Sequence, residues 1–121
     1  MTITEAINAL DRVKPNEYTD ADKISWLAEL DGKVFREIIS THEDSAVTEF
    51  SGYGADMSAV LLIPEPYTDV YRHYLESMVD YYNSEITRYN NSAAMYNVAY
   101  NAYMNRYNRT HMPLSPAKIT Y

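Results

Sequence analysis

A stripe of tyrosines constrains this chain more than any other feature. Ten of its thirteen tyrosines lie between Tyr67 and Tyr107, and Tyr82, Tyr89, Tyr96 and Tyr103 recur at intervals of seven. Steps of three and four through Leu75, Val79, Tyr82, Ile86, Tyr89, Ala93, Tyr96, Tyr100, Tyr103 and Tyr107 trace one face of a helix for about nine turns. Such a face must be covered. A single helix over 67–108 would be roughly 63 Å long at about 1.5 Å per residue, whereas a domain of this length is roughly 35 Å across. The helix therefore protrudes, or it breaks and folds back. Asn90-Asn91-Ser92 is the candidate break, because these residues have turn chemistry and poor helix propensity. The stripe keeps its phase through that point, so a continuous or kinked helix over 67–108 is expected in preference to a hairpin. Other copies of the same chain would then be its cover.

The N-terminal half predicts two shorter helices, at about 3–13 and 20–40. Ile3, Ile7 and Leu10 share a face, Thr2 or Thr4 caps the start and Pro15 ends the run. Thr19 is the next cap, with Asp20 and Asp22 in the first turn. Ile24, Leu27, Leu30 or Asp31, Val34 and Ile38 form the core face, with Trp26 and Phe35 to its side. Residues 41–66 are an irregular or short β-hairpin insertion: Ser51-Gly52-Tyr53-Gly54 is a turn signal between Val47–Phe50 and Ala59–Ile63. Pro64 and Pro66 block a helix there, and Pro66 suits the first position of the next one. The expectation is an all-α class: one helical domain, residues 1–108, followed by a flexible tail over 109–121.

Composition narrows the function. Hydrophobic residues make up 46% of the 121, enough for a packed core, and the absence of cysteine excludes disulfides and thiolate chemistry. The start lacks the basic and apolar regions of a secretory signal, and the longest apolar run is Ala59 to Ile63, too short for a bilayer. Residence in the cytosol, or in a particle assembled there, is expected, with no membrane partner. Net charge is −7, unevenly spread. Residues 1–85 hold all 17 acids and net −11, whereas residues 86–121 hold Arg88, Arg106, Arg109 and Lys118 and no acid, net +4. An acidic field disfavours a free nucleic-acid binder. The split suits head-to-tail assembly, or serves only to keep the first half soluble.

No catalytic or metal motif stands out, and neither an enzyme nor a cofactor is expected. His42-Glu43-Asp44 reads as a solvated loop cluster, and His73 with Glu76 three residues on reads as a surface pair. Three glycines form no phosphate loop. The dipeptide Tyr-Asn recurs at 82–83, 89–90, 96–97, 100–101 and 107–108. On a helix each Asn sits about 100° round from its Tyr, at the flank of the stripe, where its amide could bond a neighbouring helix. Tyr82, Tyr89, Tyr96, Tyr100 and Tyr103 are therefore the candidate subunit-interface residues.

Most of the chain resembles the head–tail connector, or adaptor, proteins of tailed phages and prophages of Gram-positive bacteria. The resemblance lies in Leu61-Leu62-Ile63-Pro64-Glu65-Pro66-Tyr67, Tyr74-Leu75-Glu76, Asp80-Tyr81-Tyr82-Asn83-Ser84-Glu85, Arg88-Tyr89-Asn90-Asn91-Ser92 and Tyr107-Asn108-Arg109-Thr110-His111-Met112-Pro113, and in Asp22-Lys23 through Trp26-Leu27 to Glu29-Leu30-Asp31. It implies a mostly helical subunit in a homo-oligomeric, dodecameric ring under the portal of the virion, assembled in the host cytoplasm. The ring would extend the channel for passing double-stranded DNA and dock a tail-side completion protein. The C-terminal segment would reach the portal, making Arg109, His111, Lys118 and Tyr121 the candidate portal contacts. Competing expectations are a tail-completion protein, a tail-assembly chaperone, or an acidic regulatory protein that imitates DNA.

Overall fold

The computed structural model describes residues 1–42 and 49–111. Four α-helices carry the fold: α1 (Ile3–Val13), α2 (Asp20–Glu37), α3 (Asp69–Tyr82) and α4 (Ile86–Thr110). A 3-10 turn, Ile39–Thr41, follows α2 directly. The all-α class and the long C-terminal helix are as the sequence led one to expect.

Each N-terminal helix begins with a reciprocal cap. The Thr2 hydroxyl accepts from the Glu5 amide at 3.2 Å, and the Glu5 carboxylate accepts from the Thr2 amide at 2.9 Å. Thr19 and Asp22 repeat the arrangement at the start of α2. Two otherwise unpaired backbone donors are satisfied at each start, which fixes where the helix begins. From there Ile3, Ala6, Ile7 and Leu10 of α1 face Leu27, Leu30 and Val34 of α2 and Val70, Leu75 and Val79 of α3 in one buried core. Trp26, expected at the side, is buried too, its ring stacked on Tyr82 at 5.5 Å.

The stretch 67–108 is not one helix. It is a hairpin, and it turns at Asn83-Ser84-Glu85 rather than at Asn90-Asn91-Ser92. The Glu85 amide donates back to the Asp80 carbonyl at 3.0 Å and the Ser84 amide to the Tyr81 carbonyl at 3.1 Å. Those are the two bonds of a Schellman stop, with Ser84 in the left-handed position at φ 59°. Asn90 to Ser92 stay helical; the Ser92 hydroxyl donates to the buried Asp80 carboxylate of α3 at 2.9 Å, tying the two arms together. The hairpin lays the stripe against itself and removes the need for a helix longer than its domain. α3 starts at Asp69, after Thr68, so Pro66 lies three residues ahead of the helix and is not its first residue.

Glycine holds a left-handed position without the clash that a Cβ makes there, a penalty of about 1–2 kcal/mol for most residues. Ser84→Gly is therefore expected to raise stability by about 0.5–1 kcal/mol, visible as a higher midpoint in thermal or urea unfolding. An unchanged or lowered midpoint would mean that the Ser84 conformation carries no strain.

The insertion contains no hairpin among its described residues. Val60 makes a single antiparallel bridge with Thr2. The Ile3 amide donates to the Ala59 carbonyl at 3.1 Å and the Leu61 amide to the Met1 carbonyl at 2.9 Å. The segment near Ala59–Ile63 thus pairs with the chain start; of its expected partner Val47–Phe50, residues 47 and 48 lie outside the described residues.

Candidate interaction surface

The five interface tyrosines do not share a surface. Tyr96, Tyr100 and Tyr103 are buried, at 8%, 5% and 4% exposure. Their rings meet Tyr74 and Tyr67 of the other arm: Tyr74–Tyr96 centroids lie 5.2 Å apart and Tyr67–Tyr103 5.8 Å. From α2, Lys33 places its ammonium 4.6 Å from the Tyr100 ring centre and donates to the Tyr96 hydroxyl at 3.2 Å, while the Tyr100 hydroxyl donates to Glu37 at 3.1 Å. The cover expected from other copies is supplied by the chain's own α2 and α3. Of the five, Tyr82 is exposed, at 53%, and Tyr89 is half-buried against Tyr81.

Burial sets the chemistry of these phenols. It pushes Tyr96 up to about 12, with Glu37 adding to the effect, and Tyr74 up to about 12, with Glu29 adding. Burial also raises Tyr100 and Tyr103 well above the usual phenol range. All four stay protonated near neutrality and serve as packing rings, those of Tyr96 and Tyr100 with a hydrogen-bonded hydroxyl, not as proton carriers.

The surface that α4 leaves outside is of another kind. Asn90, Ala94, Asn97, Asn101, Asn105 and Asn108 follow one another at steps of three or four, and all are exposed. Val98 and Met95 beside them are 68% and 52% exposed. Between Arg88 and Arg106 no residue is charged. Solvated helix faces ordinarily carry charge, so this one has the composition of a contact face. The asparagines do sit at the flank of the tyrosine stripe, as helical geometry requires. Asn108 is already used within the chain, its amide 2.6 Å from His42 Nε2. His42 is buried rather than solvated, and its Nδ1 lies 2.6 Å from the Ile38 carbonyl, so it joins the end of α2 to α4; Glu43 and Asp44 lie outside the described residues.

Two clefts border α4. A polar cleft of about 320 Å³ lies between α3, α4 and the end of α1. Each of its lysine and arginine side chains has a carboxylate partner: Lys14 meets Asp80 at 2.6 Å, Arg72 meets Glu76 at 3.5 Å and Arg88 meets Glu85 at 3.2 Å, while His73 lies 3.4 Å from Glu76. It therefore presents no surplus charge to an anion. The second, about 420 Å³, is an aromatic groove where the Pro64–Tyr67 corner faces the last turns of α4. In the sequence those prolines read as helix blockers and Pro66 as a helix start; nothing there signals the groove, which exists because the α3–α4 hairpin brings Tyr67 alongside Tyr103 and Tyr107.

Of the expected portal contacts, Arg109 is exposed and His111 lies on the groove wall, stacked on Tyr107 at 3.9 Å. Lys118 and Tyr121 lie outside the described residues. Among the described residues no group of three or more His, Asp or Glu is placed to hold a metal ion, and no helix is long and apolar enough to cross a membrane. No family model, curated protein or solved structure matches the chain.

Proposed function

We propose that this chain is a structural subunit of the head–tail junction of a tailed phage, a connector whose copies form a ring beneath the portal. The observation that carries the reading is the exposed, uncharged outer face of α4, bracketed by Arg88, Arg106 and Arg109. Asparagine amides bond well across a wet helix–helix contact, and Ala94, Met95 and Val98 give that contact an apolar centre. The acid-free α4 of one copy would lie against the acidic N-terminal half of the next. Acids remaining on the ring would keep passing DNA from adhering, since like charge repels phosphate. Arg109 and His111, at the far end of α4, would face the portal.

The DNA-imitating decoy is the weaker reading. Its acids would need to be arrayed in solvent, yet Asp31 and Asp80 are buried, Glu76 is paired with Arg72 and Asp11 with Lys23.

Val98→Glu tests the ring. The side chain is on the surface, so the unfolding midpoint should move by less than about 0.5 kcal/mol. The native mass by light scattering, with the wild-type chain forming a ring of about a dozen copies, should fall to that of a monomer. A wild-type chain that stays monomeric at all concentrations, or a ring indifferent to Val98→Glu, counts against this face. Mass spectrometry of purified particles tests the role: absence from the particle would point to an assembly chaperone instead.

A further inference from the structure

The aromatic groove has a matching segment in the same sequence. Its walls are Pro64, Pro66 and Tyr67 on one side and Tyr103, Tyr107 and His111 on the other. The Tyr103 and Tyr107 rings lie 5.9 Å apart and Tyr107 stacks on His111, giving a ladder of flat apolar surfaces along roughly 12 Å of helix end. Grooves of this composition take polyproline II segments, whose conformation is largely set before binding and therefore costs little entropy to dock. Ten residues follow the groove, 112–121, and they contain Pro113-Leu114-Ser115-Pro116-Ala117-Lys118. Prolines three apart fall on one edge of a polyproline II helix, roughly 9 Å from one another, within the length of the ladder.

We infer that the groove is a receptor for the Pro113–Lys118 segment of a neighbouring copy. Charge sets the direction. Glu65 on the proline side is exposed and would meet the Lys118 ammonium, whereas Arg106 on the α4 side would repel it. Arg106 instead offers N–H donors to the segment's carbonyls, which have no internal partners in polyproline II. The copy's own tail is the poorer occupant. His111 is itself part of the groove wall and only Met112 separates it from Pro113, fewer residues than the four of a tight turn, so self-insertion would need a reversal for which there is no chain. A neighbour's tail needs none. This deepens the connector reading by naming what latches one copy to the next, and it rests on that reading for its role, though the contact itself can be measured without it.

The test uses a fluorescently labelled peptide of residues 112–121 and full-length chains, read by anisotropy. Wild-type chain, dilute enough to be monomeric, should bind the peptide saturably at one site. A full-length Pro113→Ala/Pro116→Ala chain should bind it equally well. Tyr107→Ser in the chain, or both prolines changed to Ala in the peptide, should weaken binding at least about tenfold. Tyr67→Ser, on the opposite wall, should do the same, and circular dichroism melts identify a variant whose loss of binding reflects unfolding. No binding overturns the proposal, as does binding that neither groove substitution weakens. Monomeric wild type that refuses the peptide while the Pro113→Ala/Pro116→Ala chain accepts it also overturns it, because a copy's own tail would then be the occupant. The Val98→Glu result is independent of all these arms, so failure here leaves the ring reading standing, and the reverse.

Discussion

Asp31→Ala is expected to destabilise the fold by about 3 kcal/mol or more, enough to lower the urea midpoint severely or to leave the chain unfolded at 37 °C. Asp31 is fully buried in the middle of α2 and holds three donors. The Tyr71 hydroxyl donates to one oxygen at 2.7 Å; the other accepts from the Leu62 amide at 3.0 Å and from the Tyr53 hydroxyl. The Tyr71 oxygen in turn accepts from the Ile63 amide at 2.6 Å. One carboxylate thus fastens the long connection between α2 and α3 to both helices. Its removal strands buried donors, each costing about 1–3 kcal/mol, and opens a cavity beside Tyr71. Hydrogen exchange should show the Leu62 and Ile63 amides losing protection first. A midpoint within about 1 kcal/mol of wild type would show that the connection is held by its apolar residues alone.

The same carboxyl gives stability an unusual slope with pH. Burial raises its pKa above 3.8, against the lowering effects of Tyr53, Tyr71 and Leu62. The folded state then holds the proton more tightly than the unfolded chain. Its contribution is fully present below the unfolded value and is lost as pH rises through the raised folded value. Asp31→Asn should remove that slope. It should also cost less than Ala, since an amide keeps one acceptor for the Leu62 amide and the Tyr53 hydroxyl.

Asp31 also marks what the sequence made legible and what it did not. The cap at Thr19 was readable, and the cap of α1 was narrowed to Thr2 or Thr4, because a cap and its partners lie within four residues. The α1 and α2 faces were readable because helical period is local. At 30–31 the pattern left Leu30 or Asp31 as the core residue, and the fold buries both: Leu30 in the apolar core, Asp31 against partners 22 to 40 residues away. No local pattern reports such a hub. The α3–α4 turn was hidden for a related reason. Its stop uses serine in a left-handed position that usually signals itself by glycine, and the seven-residue spacing from Tyr82 to Tyr89 spans it without a change of phase. The stripe was real as a pattern, but it described two facing arms: Leu75 and Val79 of one and Tyr96, Tyr100 and Tyr103 of the other entered the core, while Tyr82 and Ile86 beside the turn stayed exposed.

That reversal changes what a tyrosine substitution measures. Tyr96→Ser is expected to cost about 3 kcal/mol or more, because a nearly buried ring is removed from between Tyr74, Tyr100 and Lys33. Lys33 also loses the hydroxyl that accepts its proton and a ring that faces its charge, the latter alone being about 0.5–1 kcal/mol. Tyr82→Ser removes an exposed ring stacked on Trp26 and should cost only about 1 kcal/mol. If copies associate through the outer face of α4, Tyr96→Ser should lower assembly only in step with its loss of folded protein, whereas Val98→Glu should lower assembly with the melt unchanged. Paired melts and native masses for these two variants separate the inner face of α4 from the outer. A stably folded Tyr96→Ser chain that nonetheless failed to assemble would return the tyrosines to the interface and take the asparagine face out of it.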